Sequence, residues 1–335
     1  MRRAWRLGLT AILLGLSATS AVGQESITWA GGVAGGGWDT ISHGMAELIR
    51  EKAGLNIRVI PGGGTQNPVL LSRGDAGVGM GMPLLLGAAL DGEDPYVRRK
   101  MEGLQGLAGN VSLNVFHFYV AADSRFAGMT IDEIVGGRKP IRLAISRPGT
   151  ADVWGMEKIL AHYGLCTPGK PSDCYRAWES VGAKFVRGSY AEQAAAFRYH
   201  KVDGAFAFLA LPAASVVEAS EGRRMKLLPF PKPLVESLAR FGFGDGTIPS
   251  GTYPKAVNAG EAIASASMGT TIAASAAMSP DVAYLITKII NDNPDRVRRI
   301  HPSLADYHPA TAYLHLGVPL HSGAERYYRE KGWLK

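Results

Sequence analysis

Three glycine-rich stretches carry the clearest chemistry in this sequence. They are Gly31-Gly32-Val33-Ala34-Gly35-Gly36-Gly37-Trp38, Pro61-Gly62-Gly63-Gly64-Thr65-Gln66-Asn67 and Ser146-Arg147-Pro148-Gly149-Thr150-Ala151. Each falls where a strand-like run gives way to a helix-like one. A turn of this kind offers bare backbone N–H groups at a helix N-terminus, where the partial positive charge favours an anion. Alone, each would be read first as a tight turn. Three in equivalent positions point to one shared cleft, because ligands of open α/β sheets gather at the carboxyl ends of the strands.

Other chemistries find less support. No GxxxxGK[ST] occurs, and the Gly77–Gly81 and Gly242–Gly246 runs lack the spacing and context of a dinucleotide site. A GxSxG elbow, an SxxK set and an HExxH helix are also missing. His117 lies in an apolar run and reads as a core or hinge residue. His301, His308, His315 and His321 recur at nearly regular intervals, but Pro302, Pro309, Gly317 and Pro319 interrupt any helix that would align them on a metal. Asp91, Glu93 and Asp94 lack the calcium-loop pattern and read as a solvated loop. Met80, Met82 and Met101 read as core. No cofactor and no metal are expected.

The elements that must position the glycine loops alternate along the chain. Ser26–Gly31, Asn56–Ile60, Ala76–Met82, Ile141–Ser146, Ala183–Arg187 and Gly204–Leu209 read as strands. Trp38–Ala53, Gln66–Ser72, Ala151–Tyr163, Tyr190–His200, Pro212–Ser220 and Pro233–Phe241 read as helices. Ser279-Pro280 opens a long amphipathic helix expected over Asp281–Ile300. Val115–Ala122 and Ala262–Ser275 are the candidate extended crossings. This pattern predicts parallel-type sheets with helices on both faces, in two α/β lobes. The expected boundaries are 24–120 plus 266–335 for lobe I and 121–265 for lobe II, with hinge crossings near 115–125 and 262–275.

The N-terminus has the layout of a secretory signal peptide over residues 1–23: Arg2, Arg3 and Arg6, an apolar run from Leu7 to Leu16, then small residues to Gly23. Its removal subtracts three of 36 basic residues, so 33 face 29 acidic ones and a formal +7 becomes +4. That balance calls for no nucleic-acid partner. The chain of 335 residues is 46% hydrophobic and has only two cysteines, which excludes a disordered chain and a disulfide-dense scaffold. In an oxidising compartment Cys166 and Cys174 would close one small disulfide loop; two free thiols are the alternative reading.

Taken in order, these segments resemble the TAXI solute receptors of tripartite ATP-independent periplasmic (TRAP) transporters. The resemblance rests on Gly35-Gly36-Gly37-Trp38, on Gly62-Gly63-Gly64-Thr65-Gln66-Asn67 with Leu70-Leu71 and Gly74-Asp75, and on Pro148-Gly149-Thr150. It continues through Asp203-Gly204-Ala205-Phe206 with Ala210-Leu211-Pro212, Ile248-Pro249 with Gly251 and Tyr253, and the tail from Pro319-Leu320-His321 to Gly332. The resemblance implies a structural role for His321 in that tail. The sequence departs from the family pattern at Arg147-Pro148, where Ser-Gly is usual, and at Asp39.

The resemblance implies a two-lobe type II periplasmic-binding-protein fold with a hinge and a central ligand cleft. It also implies a periplasmic monomer that captures a small organic anion, a carboxylate such as glutamate or an oxo- or dicarboxylic acid, and delivers it to membrane permease subunits. The expected ligand contacts are Gly36, Gly37, Trp38, Asp39, Gly64, Thr65, Asn67, Arg147, Gly149, Thr150, Ala151 and Phe208. Trp38 would wall the cleft, Asp39 would complement its helix dipole, and Arg147 would either grip the carboxylate or face solvent. An exported enzyme, or a signalling or adhesion protein on the same scaffold, is the alternative.

Overall fold

The structure is a computed structural model that describes residues 26–166 and 172–335. The expected signal segment therefore lies outside the described residues. The first part of the chain runs β1 (Ile27–Ala30), α1 (Gly37–Ala53), β2 (Ile57–Ile60), α2 (Asn67–Arg73), β3 (Val78–Gly81), α3 (Pro83–Asp91) and β4 (Leu104–Ala108). The middle part begins with β5 (Leu113–Ala121), β6 (Arg142–Ile145), α4 (Ala151–His162), α5 (Ser172–Glu179), β7 (Lys184–Arg187) and α6 (Tyr190–Arg198). It continues with β8 (Gly204–Ala210), α7 (Ala214–Gly222), β9 (Met225–Leu227), α8 (Lys232–Ala239), β10 (Gly244–Ile248) and β11 (Ile263–Gly269). The last part holds β12 (Thr271–Ser275), α9 (Pro280–Asp292), α10 (Pro294–Arg298) and α11 (Ser322–Glu330).

Two mixed sheets result. The first has the order β2-β1-β3-β12-β4, with β2, β1 and β3 parallel and β12 antiparallel to both its neighbours. The second has the order β10-β11-β5-β8-β6-β7, with β9 paired to β5; β8-β6 and β6-β7 are parallel and the other pairs antiparallel. The helical crossovers therefore give the parallel pairs that alternation predicts. The antiparallel pairs of β5 and β12 arise because these strands enter directly from the opposite sheet, and β10 and β11 pair antiparallel as consecutive strands with no helix between them.

The chain passes to the second sheet between Ala108 and Leu113, ahead of the stretch expected to carry the crossing, so β5 lies wholly in that sheet. It returns between Gly269 and Thr271, inside the other expected stretch. The two crossings are hydrogen-bonded to one another: Val111 N–H donates to the Thr270 carbonyl at 3.0 Å and Thr270 N–H to the Ser112 carbonyl at 2.9 Å.

Local sequence explains the elements that shape the site. α1 buries Ile41, Met45, Leu48 and Ile49 at helical spacing against the first sheet. It ends at Gly54, whose φ of 66° is left-handed and lets its N–H cap the Arg50 carbonyl. The long helix expected over 281–300 is two helices, because Pro294 has no N–H to continue the first; Asn293 stands at the break. In the second lobe Phe116 packs on Phe208 with ring centroids 4.2 Å apart and on Phe230 and Phe243, so the core reaches the cleft wall. Cys166 and Cys174 form the expected disulfide between α4 and α5. Closing so short a loop contributes about 2–3 kcal/mol by chain-entropy arithmetic. Among the described residues no helix is long and apolar enough to cross a membrane.

Candidate functional site

The carboxyl ends of β1 and β2 in the first sheet face the carboxyl end of β6 in the second, and the three glycine loops meet there. The empty space between them is about 370 Å³, part of it open to solvent. Gly32, Val33, Gly36, Gly37, Trp38, Gly63, Gly64 and Met82 line it from one side. Asn114, Thr150, Ala151, Asp152, Tyr190, Phe208, Leu209 and Ala210 line it from the other.

The glycines are needed for close approach. A Cβ on Gly63 would stand 2.5 Å from the Gly149 carbonyl oxygen, and one on Gly36 would stand 2.8 Å from the Tyr190 ring. The loops touch directly where Gln66 N–H donates to the Gly149 carbonyl at 3.1 Å. α1 starts at Gly37 with no side-chain cap at Gly36, and the residues at this helix start, Gly36, Gly37 and Trp38, line the cleft. α4 starts at Ala151 opposite, capped at Thr150, whose hydroxyl accepts from Val153 N–H at 3.4 Å. Two helix N-termini thus converge on one small space.

The expected contacts divide cleanly. Gly36, Gly37, Trp38, Gly64, Thr150, Ala151 and Phe208 line the cleft. Asp39, Thr65, Asn67, Arg147 and Gly149 do not. Asp39 sits in the first turn of α1, 3.5 Å from His43. The Thr65 carbonyl accepts the Tyr96 hydroxyl at 3.0 Å. Arg147 faces solvent and pairs at 3.2 Å with Glu192, itself exposed. Gly149 joins the two loops as described above.

Asn67 is fully buried beneath the loops. Its Nδ2 donates to the carbonyls of Ala30, Gly31 and Met80 at 3.1, 2.8 and 2.8 Å, and its Oδ1 accepts from Gly63 N–H at 2.9 Å. The whole carboxamide is engaged in holding β1, β3 and the second glycine loop together, so its role is to shape the cleft.

Three polar cleft residues, Asp152, Tyr190 and Asn114, went unmarked by sequence reasoning. Asp152, 1% exposed, accepts from Tyr190 Oη at 2.7 and 3.0 Å, from Phe208 N–H at 2.8 Å and from the Ser146 hydroxyl. Burial raises its carboxyl to about 6 against the lowering effect of those donors. Asn114 is 3% exposed and has no side-chain hydrogen bond among the described residues, although it lines the cleft. None of the three sits in a glycine loop, and no local pattern distinguishes them from core polar residues.

The histidines take structural places. His117 is buried, with Nδ1 2.9 Å from the Val115 carbonyl and Nε2 2.7 Å from the Tyr253 hydroxyl. His321 caps α11 through Gly323 N–H at 3.2 Å, and His301 accepts from Ser303 N–H at 3.1 Å. Among the described residues no group of three or more His, Cys, Asp or Glu side chains is placed to hold a metal ion.

Residues 29–332, nearly all of the described chain, match the NMT1-like family. The chain belongs to the NMT1-like family. No curated protein matches its sequence. Among solved structures, MatC from Rhodopseudomonas palustris with bound malate is similar at 14% identity and a TM-score of 0.54, over 91% of this chain and 98% of that one. The periplasmic binding protein BugD is similar at 12% identity and a TM-score of 0.53, over 92% and 94%. This NMT1-like chain therefore has the type II periplasmic-binding-protein fold. Its cleft lies where the two sheets of that fold face one another.

Proposed function

We propose that this NMT1-like protein is an extracytoplasmic solute-binding receptor that captures a small organic anion and hands it to a membrane permease. The reading rests chiefly on one observation: the N-termini of α1 and α4 converge from opposite sheets on a single small cleft. Backbone amides at helix starts hold a carboxylate without a charged side chain. Trp38 and Phe208 supply apolar walls, and the unpartnered Asn114 carboxamide is a further contact.

The finer assignment is to the TRAP type, and within it to the TAXI receptors, because the ordered motifs of that family occur along nearly the whole chain. A signal peptide over residues 1–23 would place the protein in the periplasm. Two lobes would then move about the paired crossings at Val111–Ser112 and Thr270, opening the cleft to solvent and closing it on the solute. MatC is described with bound malate on a similar fold, in keeping with a carboxylate ligand.

A thermal-shift and calorimetric screen of the protein against mono- and dicarboxylates, oxo-acids and amino acids tests the proposal. Binding of at least one such acid with a 1:1 stoichiometry is the expected outcome. If no small acid binds or stabilises the protein, the proposal fails.

A further inference from the structure

The donors around Asp152 all point one way. Gln193 Nε2 donates to the Ser146 hydroxyl at 3.1 Å, Ser146 donates to Asp152, and Tyr190 donates to Asp152 from the other side. Phe208 N–H completes the set at 2.8 Å. With three donors on one carboxylate, Asp152 acts as an acceptor, and the Tyr190 hydroxyl proton is committed to it. Tyr190 lines the cleft, and its hydroxyl oxygen keeps acceptor capacity only. No Lys, Arg or His lines the same space, so Asp152 is its one ionisable carboxylate and carries no cationic partner there.

The cleft therefore has two chemically opposite poles. The helix starts at Gly37 and Ala151 present donors, while Tyr190 and the carboxylate behind it present acceptors. A plain carboxylic acid satisfies the first pole and brings no donor to the second, where the Tyr190 oxygen keeps a free lone pair. Asn114, buried and without a side-chain partner, independently marks the space as one that expects a polar ligand.

On the reading of the cleft as a carboxylate site, we infer that its solute carries a hydrogen-bond donor, a hydroxyl or an ammonium, beside the carboxylate, and that Tyr190, oriented by Asp152, reads that donor. Tyr190 would be a specificity-determining residue, and Asp152 a positioning residue acting through it.

Matched acid pairs that differ only in the donor provide the test: lactate with propionate, malate with succinate, and glutamate with glutarate, each titrated calorimetrically. In at least one pair the donor-bearing acid should bind roughly tenfold or more tighter than its plain partner. Tyr190→Phe removes the oxygen and keeps the ring against Gly36; it should shrink that ratio to within about threefold, mainly by weakening the donor-bearing acid. The wild-type comparison needs no variant, so a poorly folded Tyr190→Phe does not remove the test. Plain acids that bind as tightly as their partners overturn the inference while leaving the carboxylate reading intact. So does a Tyr190→Phe that weakens both members of a pair equally. If none of the six acids binds while an oxo-acid without a donor does, this inference falls and the carboxylate reading stands; if no acid of the wider screen binds, both fall.

Discussion

The indole N–H of Trp38 donates to the Thr270 hydroxyl at 3.2 Å. Trp38 lines the cleft, and Thr270 lies at the point where the chain crosses back between the sheets. Ser112, on the other crossing, donates to the same hydroxyl at 3.1 Å. The residue expected only to wall the solute is thus tied to both crossings, and a solute packed on its ring would act on them through one side chain.

Trp38→Phe keeps most of the apolar wall and deletes the N–H. On the order of 1 kcal/mol for the lost bond predicts a dissociation constant about five- to tenfold higher. Small-angle scattering of the solute-bound variant should show a larger open fraction than wild type. An unchanged affinity and an unchanged scattering profile would separate Trp38 from the hinge.

Asp94 on the first-sheet side grips α4 of the second: it accepts Trp154 Nε1 at 2.8 Å and pairs with Lys158 Nζ at 2.5 Å. Lys158, nearly buried, also lies over the Trp154 and Phe241 rings at 5.3 and 5.0 Å. Under the proposed hinge motion this contact would be made only with the cleft closed, so Asp94→Ala would weaken that state alone. The expected result is a Kd raised about three- to tenfold, from a closed state weakened by on the order of 1 kcal/mol. Calorimetry that shows wild-type affinity would argue against a closure latch here.

Asn67→Ala should act on stability before it acts on binding. Three buried carbonyls and the Gly63 N–H lose their partner at once, which predicts a loss of about 2–4 kcal/mol. Urea unfolding is the appropriate measurement. A variant of native stability that binds weakly would return Asn67 to the list of direct contacts.

His117 gives the protein an acid-sensitive element away from the cleft. Burial lowers its imidazole from 6.5 to about 4, so between those pH values the unfolded chain binds a proton that the folded one refuses. Its contribution to stability is complete above pH 6.5 and falls on acidification, by up to about 3 kcal/mol. Asp152, raised to about 6, and Glu157, raised to about 7, act in the opposite sense, because the folded state takes up their protons first. The comparison with His117→Gln cancels those carboxyls. The stability gap between wild type and variant should narrow by about 2 kcal/mol from pH 7 to pH 4.5 in urea titrations. A gap independent of pH would contradict the buried neutral imidazole.

The parts of this architecture that depend on local pattern were legible in the sequence. Glycine runs between strand-like and helix-like segments marked the three loops, and the spacing of Ile41, Met45, Leu48 and Ile49 marked α1. The roles of individual polar residues were not legible, because partners distant in sequence decide them. Arg147 is turned outward by Glu192, 45 positions away, and Asp94 is drawn out of an apparently solvated loop by Lys158. Asn67 has the residue type of a ligand contact, but its buried place under two strands gives it another task. Asp152, Tyr190 and Asn114 become a site only when the second sheet brings 114, 152 and 190 to one wall.

A crystal structure of the protein with its tightest-binding small acid tests the central claim most directly. The carboxylate should lie between the two sheets, against the backbone amides at Gly37 and Ala151, with Trp38 and Phe208 on its apolar part. An acid bound outside this cleft, or within it but away from both helix starts, would contradict the account.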